Sequence, residues 1–242
     1  MADRPILFIA PMIRALLDGR KTQTRRILSK ARVFATPERP AFTLKGEHMV
    51  RALQGATGFR HLHGDGWFWE CDALEWQAPI THTGIMAHIG YAVGDRLWVK
   101  ETWAPLDACT HNDPGTQALA DNGFYRADDG TVGGEISKWR PSIFMTRNRS
   151  RITLIVTDVR VQRLQDCSEA DAVAEGIWRD TIPDGLIPGG NTSFGFSGHS
   201  GFSTAVSAYQ CLWDHINGAG AWDANPWVVA VSFDVRKGNI DG

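Results

Sequence analysis

The sequence predicts an α+β fold: a small, mostly antiparallel β-barrel with flanking helices and two large insertions. Three observations carry this. Ser150 to Leu164 is a long β-forming run in which Ile152, Leu154 and Val156 share one parity and Val159 and Val161 take the other. Trp227, Val229, Val231, Phe233 and Val235 alternate with Val228, Ala230, Ser232 and Asp234, the pattern of a half-buried strand. Between these runs, two segments switch to helical spacing.

Near the start, Ile6 to Ile9 form a short apolar run, and Pro11 then opens a helix carrying Met12, Ala15 and Leu16 until Asp18-Gly19 stops it. GRKTQTRR, residues 19–26, follows directly. Residues 29–90 are poorly patterned and read as an insertion with a hairpin or two, Trp67-Phe68-Trp69 being its firm strand signal. In YAVGDRLWVKETW, residues 91–103, a turn at Gly94-Asp95 precedes a strand in which Leu97, Val99 and Glu101 alternate with Trp98, Lys100 and Thr102. Residues 105–137, with turn chemistry at Asp113-Pro114-Gly115 and Asp128-Asp129-Gly130, read as a second insertion.

The parity switch in the 150–164 strand predicts a bulge or sharp bend near Thr157-Asp158, the device by which small barrels close. Ser168 is expected to cap a short helix with Glu169 and Asp171 in its first turn and Gly176 at its end. Its buried stripe is expected to be Ala170, Val173, Ala174 and Ile177, with Glu175 off the stripe. After a Gly/Pro/Ser-rich loop at 181–201, a helix from Ser203 to Ile216 sets Phe202, Val206, Tyr209, Trp213 and Ile216 on one face. The whole chain, 1–242, reads as a single domain.

Composition narrows function. A net charge of -2 argues against a protein coated in positive charge for general nucleic-acid binding. Charge is nevertheless local: residues 138–163 hold seven Arg/Lys against one Asp. If this segment meets the basic N-terminal one, the two form a face suited to a nucleotide or a short stretch of nucleic acid. Four scattered cysteines without C-x-x-C spacing make neither a disulfide framework nor a zinc site, and His61, His63, His88 and His199 read as loop residues, so no metal or cofactor is expected. The apolar run at the N-terminus, preceded by Asp3-Arg4 and broken by Pro11 and Arg14, is not a signal-peptide pattern. No stretch approaches the roughly 18 apolar residues of a membrane span, so a reducing cytoplasm is the expected compartment, with no membrane partner. Nothing in the chain selects an oligomeric state.

Taken together, GRKTQTRR, GDRLWVKETW, SRITLIVTDVRVQRLQDCSEADAVAEGI and NPWVVAVSFDV resemble the ASCH domains of the PUA-like superfamily, in the long variant common in phage and prophage genomes. The resemblance covers separated blocks and leaves out residues 29–90, 105–137 and 180–200. It implies a PUA-like barrel with a cleft for RNA or a modified nucleotide. In one compact branch, the acetylcytidine amidohydrolases, a Lys, a Thr and a Glu remove an acyl group from the exocyclic amine of cytidine without metal. The motif G-R-K-T-x-T carries the first two over to Lys21 and Thr24, and the Glu closing the short helix carries over to Glu175. The implied substrate is an acylated nucleoside, with RNA binding by a non-catalytic module as the alternative. This chain departs from the compact enzymes in its size, its insertions and its second arginine, Arg26 after Arg25.

The chemistry constrains the roles. A threonine hydroxyl needs a base, and a lysine amine serves only when burial or neighbouring cations lower its pKa from about 10.4. Arg20, Arg25 and Arg26 are placed to do so, or to hold a phosphate. Lys21 and Thr24, three apart, meet only off a regular strand, so GRKTQT is not expected to run as a strand through Thr24. Glu175 is expected to protonate the leaving amine or hydrogen-bond the base edge, or else to pair with Lys21 and keep it charged, so that Lys21 stabilises the oxyanion. Arg20, Arg26, Trp98, Glu101 and Trp103 are the candidate substrate contacts.

Overall fold

The structure is a computed structural model that describes residues 2–28, 31–33, 42–44, 56–62, 66–71, 85–87, 89–108, 118–119, 123–128, 136–181 and 192–242. Its centre is a five-stranded sheet of β1 (Asp3–Leu7), β2 (Gln23–Ile27), β8 (Arg96–Lys100), β11 (Ile152–Arg163) and β15 (Trp227–Lys237), in the order β1-β8-β11-β15-β2. Only β1 and β8 run parallel; the other pairs are antiparallel. The α+β class holds, but the sheet does not close into the expected barrel. Its edge strands β1 and β2 share no ladder. They are tied instead by one side chain, Arg26, whose Nη2 donates to Leu7 O at 2.6 Å.

The expected bulge is present, as a register shift between Val156 and Asp158 against β15. It leaves Thr157 as the extra residue, so that Ile152, Leu154 and Val156 before it and Val159 and Val161 after it all face one apolar cluster. Val229, Val231 and Phe233 of β15 join them, with Ile13 and Leu16 of α1 (Ala10–Leu17) packed across. Each such side chain contributes about 1.5–3 kcal/mol on burial.

The other face of the sheet meets α2 (Glu169–Ala174) and α3 (Ala205–Asn217), around Leu164, Tyr209, Leu212, Trp213 and Val228. Because both faces are covered, Trp227 to Val231 is buried on both sides; only the far end of β15 is the half-buried strand its alternation predicts. The buried face of α3 is Ala205, Ala208, Tyr209, Leu212 and Trp213, leaving Ile216 exposed.

In α2 the expected stripe is displaced. Ala170 and Val173 are exposed, whereas Ala172 and Glu175 are buried. The helix spans six residues, so it carries too few apolar groups to set its own rotation. Its polar contacts to β2 do so.

Within residues 31–87, β3 (Ala31–Val33), β4 (Phe42–Leu44), β5 (Ala56–Leu62), β6 (Gly66–Cys71) and β7 (Ile85–Ala87) form a second antiparallel sheet, more regular than a hairpin or two. Trp67-Phe68-Trp69 lies in β6 as expected, and His61 is in β5 rather than a loop; His63 and His88 lie outside the described residues. β9 (Trp103–Ala104) pairs with β10 (Phe124–Tyr125). The turns at Asp113-Pro114-Gly115 and Asp129-Gly130 fall outside the described residues. Where a loop was expected, β12 (Trp178–Thr181), β13 (Thr192–Phe196) and β14 (His199–Phe202) form a third sheet, which includes His199. No helix among the described residues is long and apolar enough to cross a membrane.

Candidate active site

Two helix C-termini meet around Lys21. α1 ends at Leu17 and is followed by Gly19, whose φ of 72° only glycine adopts freely, and Arg20 N and Lys21 N both donate to Ala15 O, at 2.9 and 3.0 Å. α2 begins at Ser168, whose Oγ accepts from Asp171 N at 3.1 Å, and closes on Glu175 and Gly176. Thr22 N donates to Ala174 O, locking the segment before β2 against the end of α2. Gly176 has φ +103°, and a Cβ there would lie 3.1 Å from Ala15 Cβ and 3.4 Å from Lys21 Cβ. The three backbones are thus held together at van der Waals distance.

Lys21 is 0% exposed and Glu175 2%. Lys21 Nζ donates to Glu175 Oε2 and to the Glu175 carbonyl O, both at 2.8 Å. The second bond sets the ammonium on the C-terminal end of α2, where the helix carbonyls favour a cation. Arg25 Nη1 donates to the other carboxylate oxygen, Oε1, at 3.2 Å, and Arg25 Nη2 lies 3.2 Å from Asp171 Oδ2. Arg25 is itself buried over the Tyr209 ring, with its Nε unpartnered among the described residues.

Asp171 and Glu175 stand four apart, one turn of helix, and so face β2 together. Asp171 Oδ1 also accepts from Arg160 Nη2 at 3.0 Å and Gln23 Nε2 at 3.3 Å. This cluster turns α2 away from its apolar stripe.

The electrostatics follow from burial. Lys21 is held below the ordinary lysine value by desolvation, opposed by Glu175 and reinforced by Arg26 and Arg25. Burial alone would raise the Asp171 carboxyl, but the hydrogen bonds from Arg160 and Ser168 and the charge of Arg25 hold it well below the usual range. Burial, with Glu175 and Asp171 nearby, pushes the Cys167 thiol up to about 12 against the pull of Arg25.

Thr24 is buried but lies within β2, opposite Val231, contrary to the expectation that no strand would reach it. The ladder begins at Gln23 because Phe233 N already takes Thr22 O, which extends the pairing to β15. Lys21 itself stays outside the strand. Parity sets Thr24 and Arg26 on the sheet face away from Arg25, and Thr24 Oγ1 has no hydrogen bond among the described residues. The two faces meet at Phe8: its ring lies 5.6 Å from Lys21 Nζ and 5.2 Å from the Arg26 guanidinium. Lys21 and Glu175 therefore converge directly, whereas Thr24 shares the face of Arg26 that borders the same ring.

The remaining candidates separate from this cluster. Arg20 is exposed, bonded to Asp18 Oδ2 at 2.8 Å and Gly176 O at 3.1 Å. Trp98 is half-buried beneath Lys100 Nζ. Glu101 is buried, and its carboxylate accepts both Arg151 Nε at 2.9 Å and Nη2 at 3.1 Å; Arg151 also holds Asp128. Trp103 is buried with Arg149 at 4.6 Å and Arg140 at 5.2 Å from its ring centroid. Guanidiniums thus take the place of a base, so Trp103 is not a free stacking platform and Glu101 is not an open cleft acid.

Arg25, expected beside Lys21 as a cation lowering its pKa, does join the cluster, whereas Asp171, Arg160 and Gln23 were missed as its members. The readable signals were the Asp171/Glu175 spacing on the helix and the alternation of Lys21, Gln23 and Arg25. Among the described residues no three His, Cys, Asp or Glu side chains converge as metal ligands. No protein-family model matches the chain, and no curated protein or solved structure matches it either.

Proposed function

We propose that the protein is a metal-independent amidohydrolase that removes acyl groups from the exocyclic amine of N-acylated cytosine nucleosides. The observation that carries this reading is the buried Lys21–Glu175 pair, 2.8 Å apart, three residues before a threonine with no hydrogen-bond partner among the described residues. The resemblance of its sequence blocks to ASCH domains supplies the substrate class.

A neutral lysine amine has two N–H donors and one lone pair. Both donors are accounted for by the Glu175 carbonyl and carboxylate, which leaves the lone pair to take the Thr24 proton. Thr24 Oγ1 attacks the acyl carbon as its proton passes to Lys21 Nζ; the carbon–nitrogen bond then breaks, and Nζ returns the proton to the departing cytosine amine. Water, deprotonated by Lys21, then attacks the acyl-Thr24 ester; the carbon–oxygen bond breaks, Nζ returns the proton to Thr24 Oγ1, and the free acid leaves. Both Glu175 oxygens accept N–H donors, so this carboxylate positions Lys21 and is not the proton donor. Arg25 keeps Glu175 paired when Lys21 gives up its proton.

Arg26, half-buried and sharing the Phe8 ring with Lys21, has to swing from Leu7 O for a base to reach Nζ, and its guanidinium is then placed for the oxyanion. Complete burial of the pair favours a second reading, in which Lys21–Glu175 is a structural staple in a module that binds RNA or a modified nucleotide without turnover. Release of cytidine from acetylcytidine separates the two: loss of turnover in Lys21→Met, Thr24→Val and Glu175→Gln proteins that remain folded supports the enzyme, and no turnover by the native chain supports the module.

A further inference from the structure

Part of the basic run after 137 is neutralised by carboxylates. Arg147 is paired with Asp3 and Asp241, and Arg151 with Glu101 and Asp128. Lys138, Arg140 and Lys100 have no carboxylate partner among the described residues. Arg140 is exposed, with its guanidinium 5.2 Å from the centroid of the buried Trp103 ring.

Between these cations lies a 3-10 turn, Ser142–Phe144, that presents Ile143 and Phe144 to solvent at 62% and 69% exposure. The turn is pinned: Phe144 N donates to Pro141 O at 3.0 Å, Lys100 Nζ donates to Ile143 O at 2.6 Å, and the next residue, Met145, is buried against Trp103 and Tyr125. An aromatic ring carried into water on a pinned turn, beside cations without carboxylate partners, is a stacking platform beside phosphate contacts.

The surface continues toward Lys21. Leu7, exposed, pairs in register with Lys100; Phe8 N donates to Lys100 O, and the Phe8 ring underlies Arg26 and Lys21. We infer that this surface binds a single strand of nucleic acid, Phe144 stacking on a base and Lys138, Arg140 and Lys100 facing phosphates. The acylated cytosine then arrives as part of a polymer; this last step rests on the amidohydrolase reading, the binding does not. Three exposed apolar side chains, Leu7, Ile143 and Phe144, among several cations are too little apolar area for insertion into a bilayer, and the planar guanidinium suits phosphate.

The test is fluorescence anisotropy of the full chain with a labelled oligocytidylate of about twelve nucleotides, at about 50 and about 200 mM salt. Binding is expected, weaker at the higher salt. Lys138→Ala with Arg140→Ala should weaken it about tenfold at low salt and flatten the salt dependence by about one contact or more. Phe144→Ala should weaken it about tenfold at both salts with the slope unchanged, and Phe144→Trp should restore it. Absence of saturable binding, binding indifferent to all these variants, or Phe144-dependent binding to phosphatidylserine vesicles with none to the oligonucleotide overturns the inference. Deacylation of free acetylcytidine without oligonucleotide binding removes the strand surface and leaves the enzyme. Phe144-dependent binding without deacylation does the reverse.

Discussion

Glu175→Ala isolates the buried pair. The substitution removes the acceptor of Lys21 Nζ at 2.8 Å and of Arg25 Nη1 at 3.2 Å. Arg25 keeps Asp171, and Lys21 keeps only the carbonyl of residue 175. Breaking a buried ion pair from one side costs about 3–5 kcal/mol, a large share of a domain's total of about 5–15 kcal/mol. Glu175→Gln retains the shape and one acceptor, so its cost should be about 1.5–3 kcal/mol.

The pH dependence has a definite sign. Burial lowers the folded-state pKa of Lys21, so between that value and about 10.4 the unfolded chain binds more protons and unfolding free energy rises with pH, by at most about 1.4 kcal/mol per unit. Removing Glu175 takes away the group that raises the Lys21 pKa, so the window extends downward and the deficit of Glu175→Ala should shrink or stay level, and not grow, between about pH 7 and about pH 9. Urea unfolding followed by tryptophan fluorescence at the two pH values measures both quantities. A Glu175→Ala cost below about 1 kcal/mol, or a deficit that grows with pH, would refute the reasoning.

Two further outcomes follow from the same packing. Gly176→Ala forces a side chain into positive φ and against Ala15 and Lys21, so thermal unfolding should show a loss of about 1–3 kcal/mol; an unchanged transition would mean that the backbones around Lys21 are not held as described. Cys167, buried and with its thiol pushed up to about 12, should resist iodoacetamide in the native chain while half-buried Cys211 reacts before it; peptide mapping by mass spectrometry that finds Cys167 modified before Cys211 contradicts this.

What the sequence disclosed depended on how many residues voted on each feature. The β11 bulge was legible because five aliphatic residues change parity at one point. α3 and β15 were legible for the same reason, although the exposed Ile216 and the doubly covered Val228 depend on neighbours that no local pattern names. The short α2 was misread because Asp171 and Glu175, which turn inward to Arg25, Arg160 and Lys21, outweigh the side chains of Ala170 and Val173.

Closure of the sheet was not legible either: it depends on whether β1 and β2 meet, and a strand run does not specify its distant edge partner. In the candidate site, Lys21 and Glu175 were reached through their motifs, 154 residues apart, and are bonded in the fold. Trp103 and Glu101 were legible as residues of interest, but their partners Arg140, Arg149 and Arg151 come from a segment whose charge suggested a surface patch. A cation run in sequence does not distinguish an exposed patch from cations neutralised one by one in space.

The central claim is that Lys21, positioned by Glu175, activates Thr24 against an acylated cytosine amine. Its most direct test is chromatographic measurement of cytidine released from acetylcytidine by the native chain and by a folded Lys21→Met variant. The account predicts release by the native chain that increases with pH as Lys21 loses its proton, and none by the variant. Equal release by both, or no release by the native chain at any pH at which it is folded, would contradict it.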